Sequence, residues 1–387
     1  MRVLIFGGEH PSNIQHVESV MDALDGSEGD EYVFYIAKDV PGPRTFAPRN
    51  PILHRLRDFC WDRFSWTPNR FKRDNFEWVN NVENGAFSCK ALKGTLPWKP
   101  DVIIVVTPHE GHAKYQLIPW ANRAGIPVLS IDHGMPTVAW SWGVYRSSMM
   151  GCAANAVWSE VCKDVNVEFG APAEKQIITG APSLDRLNDV VERDVFCAQH
   201  GIESSRKILL MLGTHRNEVK IPADNVFREI IDTYAEDDSY QLIYKPHPVE
   251  IAKGTSLDIS QQVMLMTSQA EYLALVKSAD VIISPATSVI VPAMAFSKPF
   301  INTISMDCKG ASEESLERLI GSLDGAVFSS EKMHDVVMGN VVVNEDACET
   351  AFKKFGYRRD GLNGTRVVSL ARHLSTGELP EGWTHGQ

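Results

Sequence analysis

Four strand-end clusters carry the side chains of this sequence best suited to chemistry. His133 follows the apolar run Val128-Leu129-Ser130-Ile131 and Asp132, and precedes Gly134-Met135-Pro136. A histidine in a loop at the carboxyl end of a strand can take a proton from a hydroxyl near neutral pH, with Asp132 as its orienting group or as an alternative base. His247 stands between Pro246 and Pro248, with Lys245 beside it, after the run Gln241 to Tyr244. The two prolines restrict the backbone and hold imidazole and ammonium where they can meet a diphosphate or a leaving oxygen. Thr214 and Arg216, after Gly213, offer a hydroxyl and a guanidinium to phosphate. Val281-Ile282-Ile283 empties into Ser284, Thr287 and Ser288, which open a helix whose first N–H groups are free for an anion. Pro292 leaves the start of that helix open by a few residues. Taken singly, each cluster also reads as a turn histidine, a helix cap or ordinary loop polarity; the weight lies in their convergence.

Three further histidines, His10, His109 and His112, read as lining groups on the acceptor side. His10 follows the Gly7-Gly8 turn, which is not the G-x-G-x-x-G fingerprint and instead lets another molecule approach the backbone closely. His109 and His112 flank Glu110 in H-E-G-H, a spacing unlike the zinc helix H-E-x-x-H. With no D-x-D pair at a suitable strand end either, donor activation without a metal and without a cofactor is expected.

The elements that must position these groups alternate. Short β-branched strands are expected at Val3 to Phe6, Val33 to Ile36, Val102 to Val106, Val128 to Ile131, Ala156 to Trp158 and Ile177 to Ile178. A second series runs through Ile208 to Met211, Gln241 to Tyr244, Val263 to Met266, Val281 to Ser284, Phe300 to Asn302 and Ala326 to Phe328. Helical segments between them make this an α/β chain with two Rossmann-like halves. The division expected is residues 1–185 for the acceptor, 186–365 for the nucleotide donor, and a C-terminal helix and tail over 366–387. Asp185 to Arg206 reads as a helical connector.

At 387 residues two domains are the natural division, and a net charge of -11 argues against capture of nucleic acid by the whole surface. Seven scattered cysteines in no metal or redox spacing read as reduced thiols. The sequence opens directly as a strand, and no run approaches the ~20 apolar residues that span a bilayer. A cytoplasmic protein is expected, peripheral at most at the inner membrane face. One stretch breaks the acidic pattern: residues 41–75 hold Arg44, Arg49, Arg55, Arg57, Arg63, Arg70, Lys72 and Arg73 among Phe46, Phe59, Trp61, Phe64, Trp66 and Phe71. It reads either as a surface for a polyanionic or lipid-linked acceptor or a membrane, or as a helical excursion whose aromatics pack while its arginines stay solvated.

The motif order then becomes specific. HGMP at His133, TGAPSLD at Thr179 to Asp185, LLMLGTHR at Leu209 to Arg216, KPHP at Lys245 to Pro248, ADVIISPATSV at Ala279 to Val289, SKPFI at Ser297 to Ile301 and DGLNGTRVV at Asp360 to Val368 resemble the CDP-glycerol glycerophosphotransferase-like branch of the GT-B glycosyltransferases. The resemblance implies two Rossmann-like domains facing across a cleft. It also implies a transferase building a surface polysaccharide or teichoic-acid-like polymer from a nucleotide-activated sugar or polyol donor. Residue by residue, it implies that His133 is the base, that His247 lies near the donor diphosphate and that Thr287 with Ser288 contacts its phosphates. Pro285 and Pro292 stand where that family carries acidic residues, so the donor is read broadly, as a nucleotide bearing a glycosyl or polyol-phosphate group.

The chain is also similar to the UDP-N-acetylglucosamine 2-epimerases, with Asp132 where they place a catalytic glutamate, and that activity is the first alternative. A non-catalytic nucleotide-sugar binding scaffold is the second. A DNA-modifying glycosyltransferase gripping phosphates with Arg44 to Arg73 is the third.

Overall fold

The computed structural model of the chain describes residues 1–7, 11–37, 77–83, 86–91, 98–106, 117–132, 134, 151–168, 170–214, 217–254, 257, 259, 261–268, 271–285, 288–303, 323 and 325–377. These residues divide into two units. Those up to 185 and from 357 onward form the first, and 186–356 form the second.

The first unit is built on eight strands: β1 (Arg2–Phe6), β2 (Glu31–Ala37), β3 (Glu77–Glu83), β4 (Ala86–Ala91), β5 (Val102–Val106), β6 (Val128–Ile131), β7 (Ala154–Val157) and β8 (Gln176–Ile178). Their order is β4-β3-β2-β1-β5-β6-β7-β8. All neighbours are parallel except β3, which runs antiparallel to both β2 and β4. β1 and β5 are covered on both faces, so they read as unbroken apolar runs rather than alternations. Val3, Ile5, Val102 and Ile104 pack with Val20 and Leu24 of helix Glu18–Asp25 and with Val367, Val368, Leu370 and Ala371 of the C-terminal helix Asn363–Thr376. Leu4, Phe6, Ile103 and Val105 pack on the other face with helix Ile118–Arg123.

The C-terminal helix differs from the sequence reading, which set it apart from 366 onward. It starts at Asn363 and is part of the first unit. Its first turn is held by a residue 179 positions away in the chain: the Gly364 N–H donates to Asp185 Oδ2 at 2.7 Å and the Asn363 N–H to Oδ1 at 3.0 Å. A carboxylate on exposed N-terminal N–H groups is a favourable cap. The fit is close enough to require glycine twice. A Cβ on Gly364 would lie 2.4 Å from the Ser19 carbonyl, and one on Gly180 (φ +79°) would lie 1.9 Å from Asn363 Oδ1. The TGAPSLD and DGLNGTRVV motifs are therefore two halves of one interlock.

The second unit carries six strands, β9 (Lys207–Leu212), β10 (Tyr240–Lys245), β11 (Met264–Leu265), β12 (Val281–Ser284), β13 (Phe300–Asn302) and β14 (Val327–Ser329). All neighbours are parallel and the order is β11-β10-β9-β12-β13-β14. Counted from β9 this is the order 3-2-1-4-5-6 of a doubly wound dinucleotide-type sheet, with its switch point between β9 and β12. Leu209, Met211, Leu242, Tyr244, Val281 and Ile283 build the core on one face with Phe227 and Ile230 of helix Asn217–Tyr234.

Every strand expected from sequence is present, β11 in shortened form. The β3–β4 pair was not expected. The connector begins within a 3-10 segment, Pro182–Asn188, and contains the helix Arg193–His200, whose Arg193 bonds Asp280 and the carbonyls of Ser278 and Arg206. The basic stretch 41–75 lies outside the described residues. Among those described, no helix is long and apolar enough to cross a membrane, and Cys152, Cys162, Cys197 and Cys348 are buried free thiols.

Candidate functional site

Ligands to open α/β sheets collect beyond the carboxyl ends of the strands at the switch point. In the second unit those ends are Leu212, Lys245 and Ser284, the last residues of β9, β10 and β12. Lys245 pairs with Leu212, Ile283 with Met211, and Ser284 with Asn302. Because side chains alternate along a strand, Lys245, Leu212, Ser284 and Asn302 form one row on the face opposite Tyr244 and Met211. All four are buried, as is Thr214 just beyond the row.

The row is polar where a sheet core is ordinarily apolar, and it is incompletely paired. Lys245 is only 5% exposed, and its Nζ has no hydrogen-bond partner among the described residues. Burial pushes the Lys245 pKa down from 10.5 to about 8. The Ser284 hydroxyl donates to the carbonyl of Pro285 at 3.0 Å. Ser288 is half-buried in the turn after β12. The helix that follows, Ile290–Ala295, spans six residues and contains Pro292, so it presents less free backbone than the sequence suggested.

On the opposite face a carboxylate organises the loops. Glu250 is fully buried in helix Pro248–Lys253. Its Oε2 accepts the His247 N–H at 2.7 Å and its Oε1 the Lys220 ammonium at 2.7 Å, while the Tyr244 hydroxyl lies 3.4 Å from both oxygens. Burial works against the Lys220 ammonium, but its bonds to Glu250 and Asp224 outweigh this and its pKa is raised. Burial, with the Glu250 charge behind it, pushes the Tyr244 phenol up. Sequence reading missed Glu250, Lys220 and Tyr244. The signal for the first was present in His247-Pro248-Val249-Glu250, with proline at the first helical position and glutamate at the third, as in a capping box.

In the first unit, Asp132 turns inward. Its N–H donates to the Ala156 carbonyl at 3.1 Å, its own carbonyl accepts Trp158 Nε1 at 2.8 Å, and the residue is 5% exposed. Burial raises its pKa to about 7 against the pull of a hydrogen bond with Asn166. It caps a buried polar row in which Ser130 pairs with Asn155 and Asn155 with Gln176, while Asn166 Nδ2 donates to Gln176 Oε1 at 3.2 Å. The carboxyl thus stands at the end of β6 beside a buried polar network. His133, His10, His109, His112, Arg216 and Thr287 lie outside the described residues, so the groups brought together are Thr214, Lys245, His247, Ser284 and Ser288.

Two units of this kind define the GT-B-type fold, and solved structures share it. MnaA from S. aureus, solved with UDP, is 12% identical over 99% of this chain and 100% of its own, with a TM-score of 0.60. UDP-GlcNAc 2-epimerase from Neisseria meningitidis, bound to UDP-GlcNAc, is 13% identical over 96% of this chain and 99% of its own, at 0.56. A variant of the wall teichoic acid polymerase TagF is 11% identical over 97% of this chain and 89% of its own, at 0.58. At these identities the likeness establishes the fold.

A sequence match narrows it further. Residues 152–308, from just before β7 to past β13, match the family model of CDP-Glycerol:Poly(glycerophosphate) glycerophosphotransferase, the family to which the motifs point. No curated protein sequence matches the chain.

Proposed function

We propose that the protein is a transferase that moves a glycosyl or polyol-phosphate group from a nucleotide-activated donor to an acceptor hydroxyl. The observation that carries this reading is Lys245, a buried amine with no hydrogen-bond partner among the described residues, in a row with Ser284 and Asn302. An unpaired buried ammonium is costly, and a phosphoryl oxygen is the partner that would remove the cost. In the reaction the acceptor oxygen bonds to the transferred carbon or phosphorus as the bond to the donor phosphate breaks. The acceptor proton passes to a base and the new negative charge stays on the departing nucleotide. Lys245 and His247 stabilise that charge. His133 is retained as the base on the sequence grounds given above, and no step requires a metal.

The family match over residues 152–308 supports a polyol-phosphate donor and a polymeric or lipid-linked acceptor. Cytoplasmic action, peripheral at the inner membrane face, follows from such an acceptor.

The test is calorimetric titration of CDP, UDP and GDP into the wild-type protein, Lys245→Met and Ser284→Ala. Selective binding of one nucleotide, lost in Lys245→Met, is the expected result. A wild-type protein that binds none of them, or a Lys245→Met protein that binds unchanged, overturns the reading.

A further inference from the structure

The Glu250 carboxylate joins several supports of the site. It reaches back three residues to the backbone N–H of His247, fixing the turn that carries the imidazole. It anchors Lys220 of helix Asn217–Tyr234, the helix that follows the Thr214 loop. It also stands where a side chain on residue 213 would be. A Cβ there would fall 2.1 Å from Glu250 Oε2 and 2.7 Å from the Tyr244 hydroxyl. Gly213 after β9 and the turn after β10 therefore both approach one buried carboxyl group, on the face of the sheet opposite the Lys245 row.

We propose that Glu250 is a positioning residue that fixes the His247 imidazole for the donor's phosphates, acting through its reach to the His247 N–H rather than through its charge. The inference rests on the donor reading of this edge. A helix of six residues gains little from a buried ion pair for its own sake. In the same turn the His247 carbonyl accepts the N–H groups of Glu250 at 2.8 Å and of Ile251 at 3.2 Å. Both the N–H and the carbonyl of His247 are thereby engaged, which restricts the backbone that carries the imidazole. Preorganisation of this kind acts on ligand affinity by removing the ordering that binding would otherwise require.

Reach and charge separate in two variants. Glu250→Asp keeps the charge beside Lys220 but withdraws the carboxylate by one methylene, roughly 1.5 Å. Lys220→Met/Glu250→Gln removes both charges and keeps an acceptor at full length. Two readouts apply to each: the Cε1–Hε1 NMR signal of His247, identified by its loss in His247→Asn, and the affinity for CDP and UDP. Glu250→Asp is expected to move and broaden the His247 signal and to lower nucleotide affinity by about tenfold or more, whereas the double variant stays near the wild type in both.

The opposite pattern, with the double variant impaired and Glu250→Asp unaffected, overturns the proposal. So does a lowered melting temperature in both with the His247 signal and affinity unmoved, which is what a purely structural role gives. Should the wild type bind neither nucleotide, the donor reading fails, and the NMR signal alone still decides whether Glu250 positions His247.

Discussion

Asp132→Asn should stabilise the first unit, increasingly so as the pH rises. The native environment lifts this carboxyl from 3.8 to about 7 by burial. Each unit of such a shift corresponds to about 1.4 kcal/mol, so the full effect is about 4 kcal/mol. Below pH 3.8 the carboxyl is protonated in both states and contributes no penalty. Between 3.8 and about 7 the unfolded chain ionises while the native one does not, and stability is progressively lost. Above about 7 the loss is complete. Asparagine is neutral throughout and retains a polar partner for Asn166. The variant should therefore exceed the wild type by about 2 kcal/mol at pH 5 and about 4 kcal/mol at pH 8. The assay is urea unfolding of both proteins across that range, read by deuterium exchange in peptides spanning β6 and β7 so that this unit reports by itself. A stability difference that is flat with pH, or a variant weaker than the wild type at pH 8, would refute the burial argument.

Lys245→Met should raise the melting temperature of the nucleotide-free protein, because a lysine lowered from 10.5 to about 8 carries a penalty below pH 8 on the order of 3 kcal/mol. The penalty is relieved as the pH climbs from 8 to 10.5, so scanning calorimetry should find the two proteins converging there. Nucleotide affinity of the wild type should fall between pH 7 and pH 9.5 as that ammonium loses its proton, which titration calorimetry in matched ionic strength checks. Gly213→Ala forces a Cβ against Glu250 and Tyr244 and should cost about 1–3 kcal/mol by denaturant titration. Asp185→Ala strips the cap from helix Asn363–Thr376 and should cost about 1–2 kcal/mol, with faster exchange at the Asn363 and Gly364 amides.

The strands buried on both faces were legible because burial on both sides leaves no polar position to interrupt them: Val3 to Phe6 and Val102 to Val106 announce themselves. The β3–β4 pair was not, since Glu77-Trp78-Val79-Asn80-Asn81-Val82-Glu83 has polar residues at most positions. Its one local signal was the Asn84-Gly85 dipeptide ahead of Ala86. Lys245, His247 and Ser284 could be found from their places after apolar runs. That the Lys245 ammonium lacks a hydrogen-bond partner among the described residues could not, because pairing depends on neighbours contributed by other elements. Glu250 escaped for the same reason: its partners come from β10, from helix Asn217–Tyr234 and from its own turn. The inward aim of Asp132 was readable in principle, since it shares a strand face with Ser130, two residues earlier, and Ser130 is wholly buried.

The return of the chain to its first unit sets an order of events during synthesis. Residues 186–356 are all translated before the helix Asn363–Thr376, which completes the core around Val3, Ile5 and Val102. A ribosome emitting roughly 5–20 residues per second leaves the N-terminal sheet without that cover for ten seconds or more, while the second unit already has every one of its strands. The part of the protein made first is the last to be finished. Until then it exposes an apolar groove shaped for its own C-terminal helix, and nascent-chain chaperones would find their binding surface there.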